Sequence, residues 1–472
     1  MRTHLRNLLI PASALVLAGC ASVNVDQAIE KTNETAASFT QGKLAARGGD
    51  APEAKRQKLV DELLDTPLSR DAAVQLALAN SAAFQSLIAE GWTQLAAADQ
   101  AGRIANPVFS FERMRFADEL EIGRLLSMGL LDLLTLPQRQ VISRNRLAQS
   151  QLQLTGSVIE QVTLVRQAWV RAVAASQQHE YAKQIKDAAE ASAELARRMQ
   201  QVGNFTKLQR ARQQVFYADA TAQLAAAQHT ATAAREELIR LLGLDDAQAA
   251  RLKLPDRLPE LPGAPPSPAD TRQAALQQRL DWQLSRLQLE AAGKAQRLDL
   301  LSRLVDTEVG VRRDTVFDNA TGSRATRRGY ELDVRLPLFD WGGAQRAAMN
   351  AQTLAAVSRY ELVTRSASSQ LREGYSAYRT AYDIAKHYRD EIVPLRKTMS
   401  EENVLRYNGM LIGVFELLAD TREQIASVMA SINAQQQFWL ADAAMSAALI
   451  GKPVAFGPAS INNSTSGSSE GH

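Results

Sequence analysis

The sequence predicts a mainly α protein with a small β part, in which long helices pack as a coiled coil and each chain carries two strand pairs. Three observations predict this class. Asn204 to Leu242 and Val414 to Ile450 contain neither Gly nor Pro, which allows helices of roughly 35 to 40 residues, or about 55 Å at 1.5 Å per residue. The chain also repeats itself at a period of about 208 residues, so that Leu241-Leu242-Gly243 and Leu449-Ile450-Gly451 close two similar halves. Finally, a few short segments leave the helical period for a period of two.

Taken in order, the chain opens on a processing signal over residues 1–19. Arg2 and Arg6 give a basic start, Leu8 to Ala18 an apolar run, and Leu17-Ala18-Gly19-Cys20 a lipobox. The apolar run is roughly 11 residues, whereas a spanning helix needs about 20, so the segment reads as cleaved. Cys20 is then the mature N-terminus and carries a covalent lipid of the palmitate type. It is the single cysteine, so no internal disulfide is expected. Ala21 and Ser22 follow, and the absence of Asp at the second mature position resembles lipoproteins sorted to the outer membrane.

Residues 20–66 are polar, with Gly48-Gly49 and Pro52, and read as a weakly structured lead-in. The first structural repeat covers 67–254. Ser69 is placed to cap a helix through Ala72, Val74, Leu76 and Leu78. A long helical run spans about Gln138 to Gln201, where Val158, Val162, Val165 and Trp169 alternate at spacings of four and three. A proline-rich connector over 255–268 stops any helix there. The second repeat, 269–456, has its own long run from Ala344 to Asn408, interrupted by Gly374 and Pro394, and a final helix in which Leu411, Leu418, Ile425, Ile432 and Trp439 recur every seven residues. From Gly457 the Ser/Asn/Gly-rich tail, 457–472, is expected to stay unfolded.

The strand pairs interrupt these helices. Val305, Thr307, Val309 and Val311 alternate with polar residues, a polar arginine-containing loop follows, and Tyr330, Leu332, Val334, Leu336 and Leu338 alternate on the return. The pair lies near 305–339, and strands of about nine residues, apolar on one face, match the length that crosses a bilayer in a tilted barrel. The counterpart near 107–136 is weaker. Phe109 and Phe111 alternate with Ser110 and Glu112, but Arg113, Arg115 and Arg124 disturb the pattern, the only evident break is Ala117-Asp118-Glu119, and Leu130 to Leu134 also reads as helix. Four strands cannot close a barrel. Three chains would supply twelve, above a tube of long helices, so arithmetic suggests a homotrimer.

Charge and chemistry exclude other classes. A formal charge of +3, falling to about +1 without Arg2 and Arg6, gives no electrostatic case for nucleic acid. Five histidines lack metal-ligand spacing, and no phosphate loop or nucleophile elbow is present, so no enzyme, metal site or cofactor beyond the lipid is expected. Acidic pairs such as Glu236-Glu237 and Glu401-Glu402 read as solvated helix faces, and the scattered methionines as core filler.

Several local sequences carry a family resemblance over roughly residues 68–452. These are Leu336-Pro337-Leu338-Phe339-Asp340-Trp341-Gly342-Gly343, Ala105-Asn106-Pro107, Arg240-Leu241-Leu242-Gly243 and Val202-Gly203-Asn204-Phe205. By their order along the chain, with the repeat and the lipobox, the chain resembles the TolC-like outer-membrane efflux proteins. The resemblance implies a homotrimer in outer-membrane lipid with a periplasmic helical extension, acting as the passive exit duct of a tripartite pump for drugs or metal ions. It implies two partners, a periplasmic membrane-fusion adaptor and an inner-membrane pump of the resistance-nodulation-division (RND) type. The adaptor would meet the helix turns, here Val202, Gly203, Asn204, Phe205 and Thr206 in the first half and Gly409, Met410, Leu411, Ile412, Gly413 and Val414 in the second, where glycine permits the reversal. It also makes Glu416 and Asp420 candidates for a pore constriction, where rings of carboxylates would attract cations; an ordinary solvated helix face is the alternative. An outer-membrane component of type I protein secretion would share these helices and strands, and a non-transporting periplasmic coiled-coil lipoprotein would share the helices alone.

Overall fold

The computed structural model describes residues 24–47, 50–263, 279–302, 306–335, 339 and 342–453. The signal segment with Cys20, Gly48-Gly49, connector residues 264–268, Val305, Leu336 to Leu338, Asp340, Trp341 and the tail 457–472 lie outside the described residues. The helices are α1 (Val25–Thr40), α2 (Asp50–Leu64), α3 (Arg70–Asn80), α4 (Ala82–Gln100), α5 (Leu130–Gln201), α6 (Lys207–Leu242), α7 (Asp246–Arg251), α8 (Leu280–Ser302), α9 (Gly343–His387), α10 (Val393–Asn408) and α11 (Val414–Ile450). The strands are β1 (Val108–Phe116), β2 (Glu119–Gly129), β3 (Asp306–Asp318) and β4 (Ser323–Arg335). The described residues form two compact units, one from within 1–28, 89–154 and 281–365, the other from within 29–88, 155–280 and 366–472.

The first unit holds the sheet, an antiparallel meander in the order β1-β2-β3-β4. The second strand pair is longer than its alternation predicts. β3 and β4 are 13 residues each and run through the segment read as a loop, leaving only Asn319 to Gly322 as the turn. The pattern misled because Arg312, Arg313, Arg327 and Arg328 break the apolar rhythm, while ladder pairing depends on backbone groups and not on side-chain charge. Asp318 closes the turn by accepting from the amides of Ala320 and Thr321. β1 and β2 join through Ala117 and Asp118, with Ala117 at φ 48°. Partners across the ladder share a face, which places Phe109, Leu126, Val311 and Tyr330 in one row on one side. These four are exposed in the single chain.

The β2 return leg ends at Gly129, so the leucines from Leu130 onward are helical and α5 starts earlier than expected. Pro137 falls in the second turn of this 72-residue helix. Within the first unit α5 is fixed by Ser143, whose hydroxyl donates to the Ala98 carbonyl at 2.7 Å, and by Gln149, which donates to the Leu287 carbonyl.

The second unit carries the main core. Val158, Val162, Val165 and Trp169, the seam read from spacing, are all buried. Trp169 also donates its indole N–H to the Leu68 carbonyl at 2.8 Å, which satisfies its one polar atom. Ser69 caps α3 by accepting from the Ala72 amide. The lead-in is not weakly structured: α1 and α2 are helices, and Ile29, Ala36, Phe39, Val60 and Leu64 are buried. Their polar average composition hides an apolar stripe at helical spacing. A second cluster gathers Leu261, Tyr378, Tyr382, Ala434 and Phe438. There the proline-rich connector is strapped down, since the Pro259 carbonyl accepts from Gln435 and Trp439, and the Tyr382 hydroxyl donates to the Pro262 carbonyl.

Gly374 does not interrupt α9 and is buried inside it. The interruption comes at Tyr388–Ile392, a π-helical turn directly before Pro394. Pro394 has no N–H to give and its ring crowds the carbonyl four residues back, so the ladder widens locally rather than breaking. Of the heptad residues, Ile432 is buried, while Leu411 is exposed and belongs to the turn before α11. Among the described residues no single helix is long and apolar enough to cross a membrane, although the α3 and α4 pair, bent by 55°, meets that test together.

Candidate functional site

The two turns predicted as adaptor contacts both lie in the second unit, and the structure brings them together. Phe205 of the first and Phe415, beside the second, place their ring centroids 4.5 Å apart. Val202, Met410 and Leu411 stay exposed around this pair, so the paired turns present apolar side chains to solvent.

Each turn is built by a Schellman arrangement, in which a left-handed residue just past the helix redirects the chain and satisfies the last carbonyls. At the end of α5, the Gly203 amide donates to the Gln200 carbonyl and the Asn204 amide to the Met199 carbonyl. Gly203 has φ +84° with open space around it. Thr206 then starts α6 through a capping box with Gln209. At the end of α10 the same bonds run from Met410 to Tyr407 and from Leu411 to Arg406. Here the expectation about glycine fails. Gly409 sits at φ −80° and Gly413 at φ −81°, and the left-handed position belongs to Met410 at φ 61°. The motif sets its left-handed residue one position later than the glycine, so the exposed Met410 takes that conformation against its preference, within the two backbone bonds that close the turn.

Glu416 lies in the first turn of α11 and is exposed. Asp420, one turn further, is buried within its own chain, and its Oδ2 has no hydrogen-bond partner among the described residues. The two predicted constriction residues therefore differ in environment. Sequence reasoning missed their neighbour Arg422, whose guanidinium packs 3.7 Å from the Phe216 ring centroid and donates to Gln213. Burial pulls Arg422 below the usual arginine range. Nothing in the local sequence marks it, because Gln213 and Phe216 come from α6, some 200 residues earlier. A groove along the last turns of α5 is lined by Asp187, Glu190, Glu194, Arg197 and Tyr217. Arg197 and then Arg198 donate to Glu194 and hold its carboxyl at about 2.

The second unit also holds a charged cluster that sequence alone does not assemble. Arg70 donates to Asp442 at 3.0 Å and stacks over Trp439. Burial pushes the Asp442 carboxyl up, against the pull of Arg70 and Arg166. The ion pair is real in geometry, yet desolvation outweighs it. Arg166, itself buried, donates to the Phe39 carbonyl and packs on the Phe39 ring. Among the described residues no group of three or more side chains is arranged to hold a metal ion.

No family model and no curated protein matches this sequence. Solved structures do match. The Campylobacter jejuni CmeC outer membrane channel is similar at 14% identity and a TM-score of 0.67, over 86% of this chain and 89% of that one. The Neisseria gonorrhoeae MtrE outer membrane channel is similar at 16% identity and a TM-score of 0.63, over 84% and 89%. The outer membrane protein VceC of Vibrio cholerae is similar at 15% identity and a TM-score of 0.62, over 84% and 96%. With this likeness spanning 84 to 86% of its length, and with long helices and a small four-stranded sheet of its own, this chain has the TolC-like outer-membrane channel fold.

Proposed function

We propose that the protein is one subunit of a homotrimeric outer-membrane channel that serves as the passive exit duct of a tripartite efflux pump. One observation carries the reading: the sheet is a four-stranded meander whose outer strands, β1 and β4, each pair on one side only among the described residues. Four strands cannot close on themselves, and an open edge is not tolerated in hydrocarbon. Three copies joined edge to edge would give a barrel of twelve strands, an even number within the observed range. A non-transporting coiled-coil lipoprotein would have no use for such a sheet.

In this reading Cys20 carries the lipid anchor, and the exposed apolar residues of the paired turns are the surface met by a membrane-fusion adaptor, which links the duct to an RND-type pump. The duct performs no covalent chemistry. Glu416, exposed at the start of α11, suits a ring of three carboxylates that favours cations in the pore, and Asp420 backs it one turn along. Drugs and metal ions are the proposed cargo classes.

The test is the mass and conductance of the purified full-length protein. Three copies per particle and discrete ion-conducting steps in a planar bilayer are expected. A monodisperse monomer that leaves the bilayer insulating would refute the proposal.

A further inference from the structure

The arginines that spoil the alternation in sequence converge in the sheet. Side chains alternate along each strand and directly paired residues share a face, so the register sorts the charges. One face carries Arg113, Arg115, Arg124, Arg313, Arg324 and Arg328, and no carboxylate. The described carboxylates of the four strands, from Glu112 on β1 to Asp333 on β4, all fall on the opposite face.

The arginine face has two zones. Towards the helices it is apolar, with Phe109, Leu126, Val311, Tyr330 and Leu332 exposed. Towards the two turns it is basic, and the division follows the ladder. The row Phe109-Leu126-Val311-Tyr330 is followed by Phe111-Arg124-Arg313-Arg328. In this second row three arginines stand directly opposite one another on three adjacent strands, and none has an ion-pair partner among the described residues. Arg312, on the other face, instead meets Glu112, Asp314 and Glu331. Like charges opposed across a ladder repel, so the row is at its most stable when an anion from outside the chain lies against it.

We propose that this arginine field binds the phosphate groups of an outer-leaflet glycolipid whose acyl chains lie on the apolar zone below. The inference rests on the membrane-channel reading, which makes the exposed apolar face the lipid side and the carboxylate face the water side. Arginine on a lipid-facing strand is costly at mid-bilayer and tolerated near the interface, which sets these rows at headgroup height. Guanidinium groups recognise phosphate through paired N–H donors. A free phosphate would satisfy the charges but would leave the adjoining apolar zone without a partner, so the lipid is the occupant.

The experiment uses full-length protein in phosphatidylcholine vesicles with and without bisphosphorylated lipid A, with bound lipid counted by native mass spectrometry after gentle extraction. The wild type is expected to retain lipid A in preference to phosphatidylcholine, and added inorganic phosphate is expected not to displace it. The triple variant R124Q/R313Q/R328Q is expected to bind lipid A on the order of tenfold to a hundredfold more weakly, while R124K/R313K/R328K keeps most of the affinity. A glutamine variant that retains lipid A as well as the wild type would overturn the proposal, as would displacement by inorganic phosphate alone. So would unchanged lipid binding together with altered anion conductance, which would put these arginines in the pore. Insertion and conductance, read in the same vesicles, report on the channel reading separately; the lipid result is scored only on inserted protein.

Discussion

Met410 is the clearest residue-scale departure from what its chemistry prefers. At φ 61° its Cβ crowds the backbone, and Gly203 occupies the matching position of the other turn without that cost. Gly203→Ala is therefore expected to destabilise the end of α5 by about 1 kcal/mol, read as faster amide exchange at Gly203 and Asn204. Gly409→Ala, at an ordinary φ and with no contact closer than 3.5 Å, is expected to change little. Met410→Gly is expected to slow local exchange, and faster exchange there would refute the account of strain. Asp442 gives a pH dependence. Its folded carboxyl titrates above the ordinary aspartate value because it is partly buried, so between the two values the folded state holds a proton that the unfolded state has released. Stability attributable to Asp442 is thus highest at acid pH and falls as pH rises from the ordinary value through the raised one. Asp442→Asn should remove that slope from a series of melting curves; an identical slope in both proteins would refute the burial account. Arg70→Ala leaves the same carboxyl unpaired and uncovers Trp439, with an expected loss on the order of 2 kcal/mol.

At the scale of elements, the helices α5, α6, α10 and α11 end in one way, with left-handed residues Gly203, Gly243, Met410 and Gly451 closing Schellman bonds. Three of these ends were legible in the sequence because glycine marks them. The fourth was displaced by one residue because the neighbouring Gly409 gave the cue while the backbone bonds of the turn place Met410 at the left-handed position. Thr206 is the matching start signal, and Thr206→Ala is expected to cost about 1 kcal/mol and loosen the first turn of α6, again visible in amide exchange. Apolar spacing found the seam around Trp169 correctly. It failed for α1, where Ala28, Thr32, Ala36 and Thr40 make up most of the buried stripe, for α2, where only Val60 and Leu64 are buried, and for the far halves of β3 and β4. In those strands arginines interrupt the apolar alternation on both faces, Arg312 and Arg327 on one and Arg313 and Arg328 on the other, and backbone pairing defines the element. Arg422 and the Arg70–Asp442 pair were invisible for a different cause, since their partners lie hundreds of residues away and no local pattern announces them.

For the whole molecule, the helical class, the strand pairs and their order could be read from periodicity, because long helices and short ribbons leave different signatures over tens of residues. The registry of charges across the sheet could not, since it depends on which residue faces which across strands separated by some 200 positions. The proposed lipid anchor and the sheet make separable contributions to membrane attachment. Cys20→Ser is expected to remove acylation while the protein still fractionates with the outer membrane and resists extraction by carbonate, because the ribbons rather than the acyl chains would span the bilayer. Recovery of the variant as a water-soluble monomer would count against the barrel. The unsatisfied rims of β1 and β4 also bear on biogenesis. In the proposed trimer, a newly exported chain would offer two templates on which any extended peptide can grow until it finds its sister copies. Maturation should therefore slow steeply with dilution, and escort by a holding chaperone would favour the productive union over fibrous by-products.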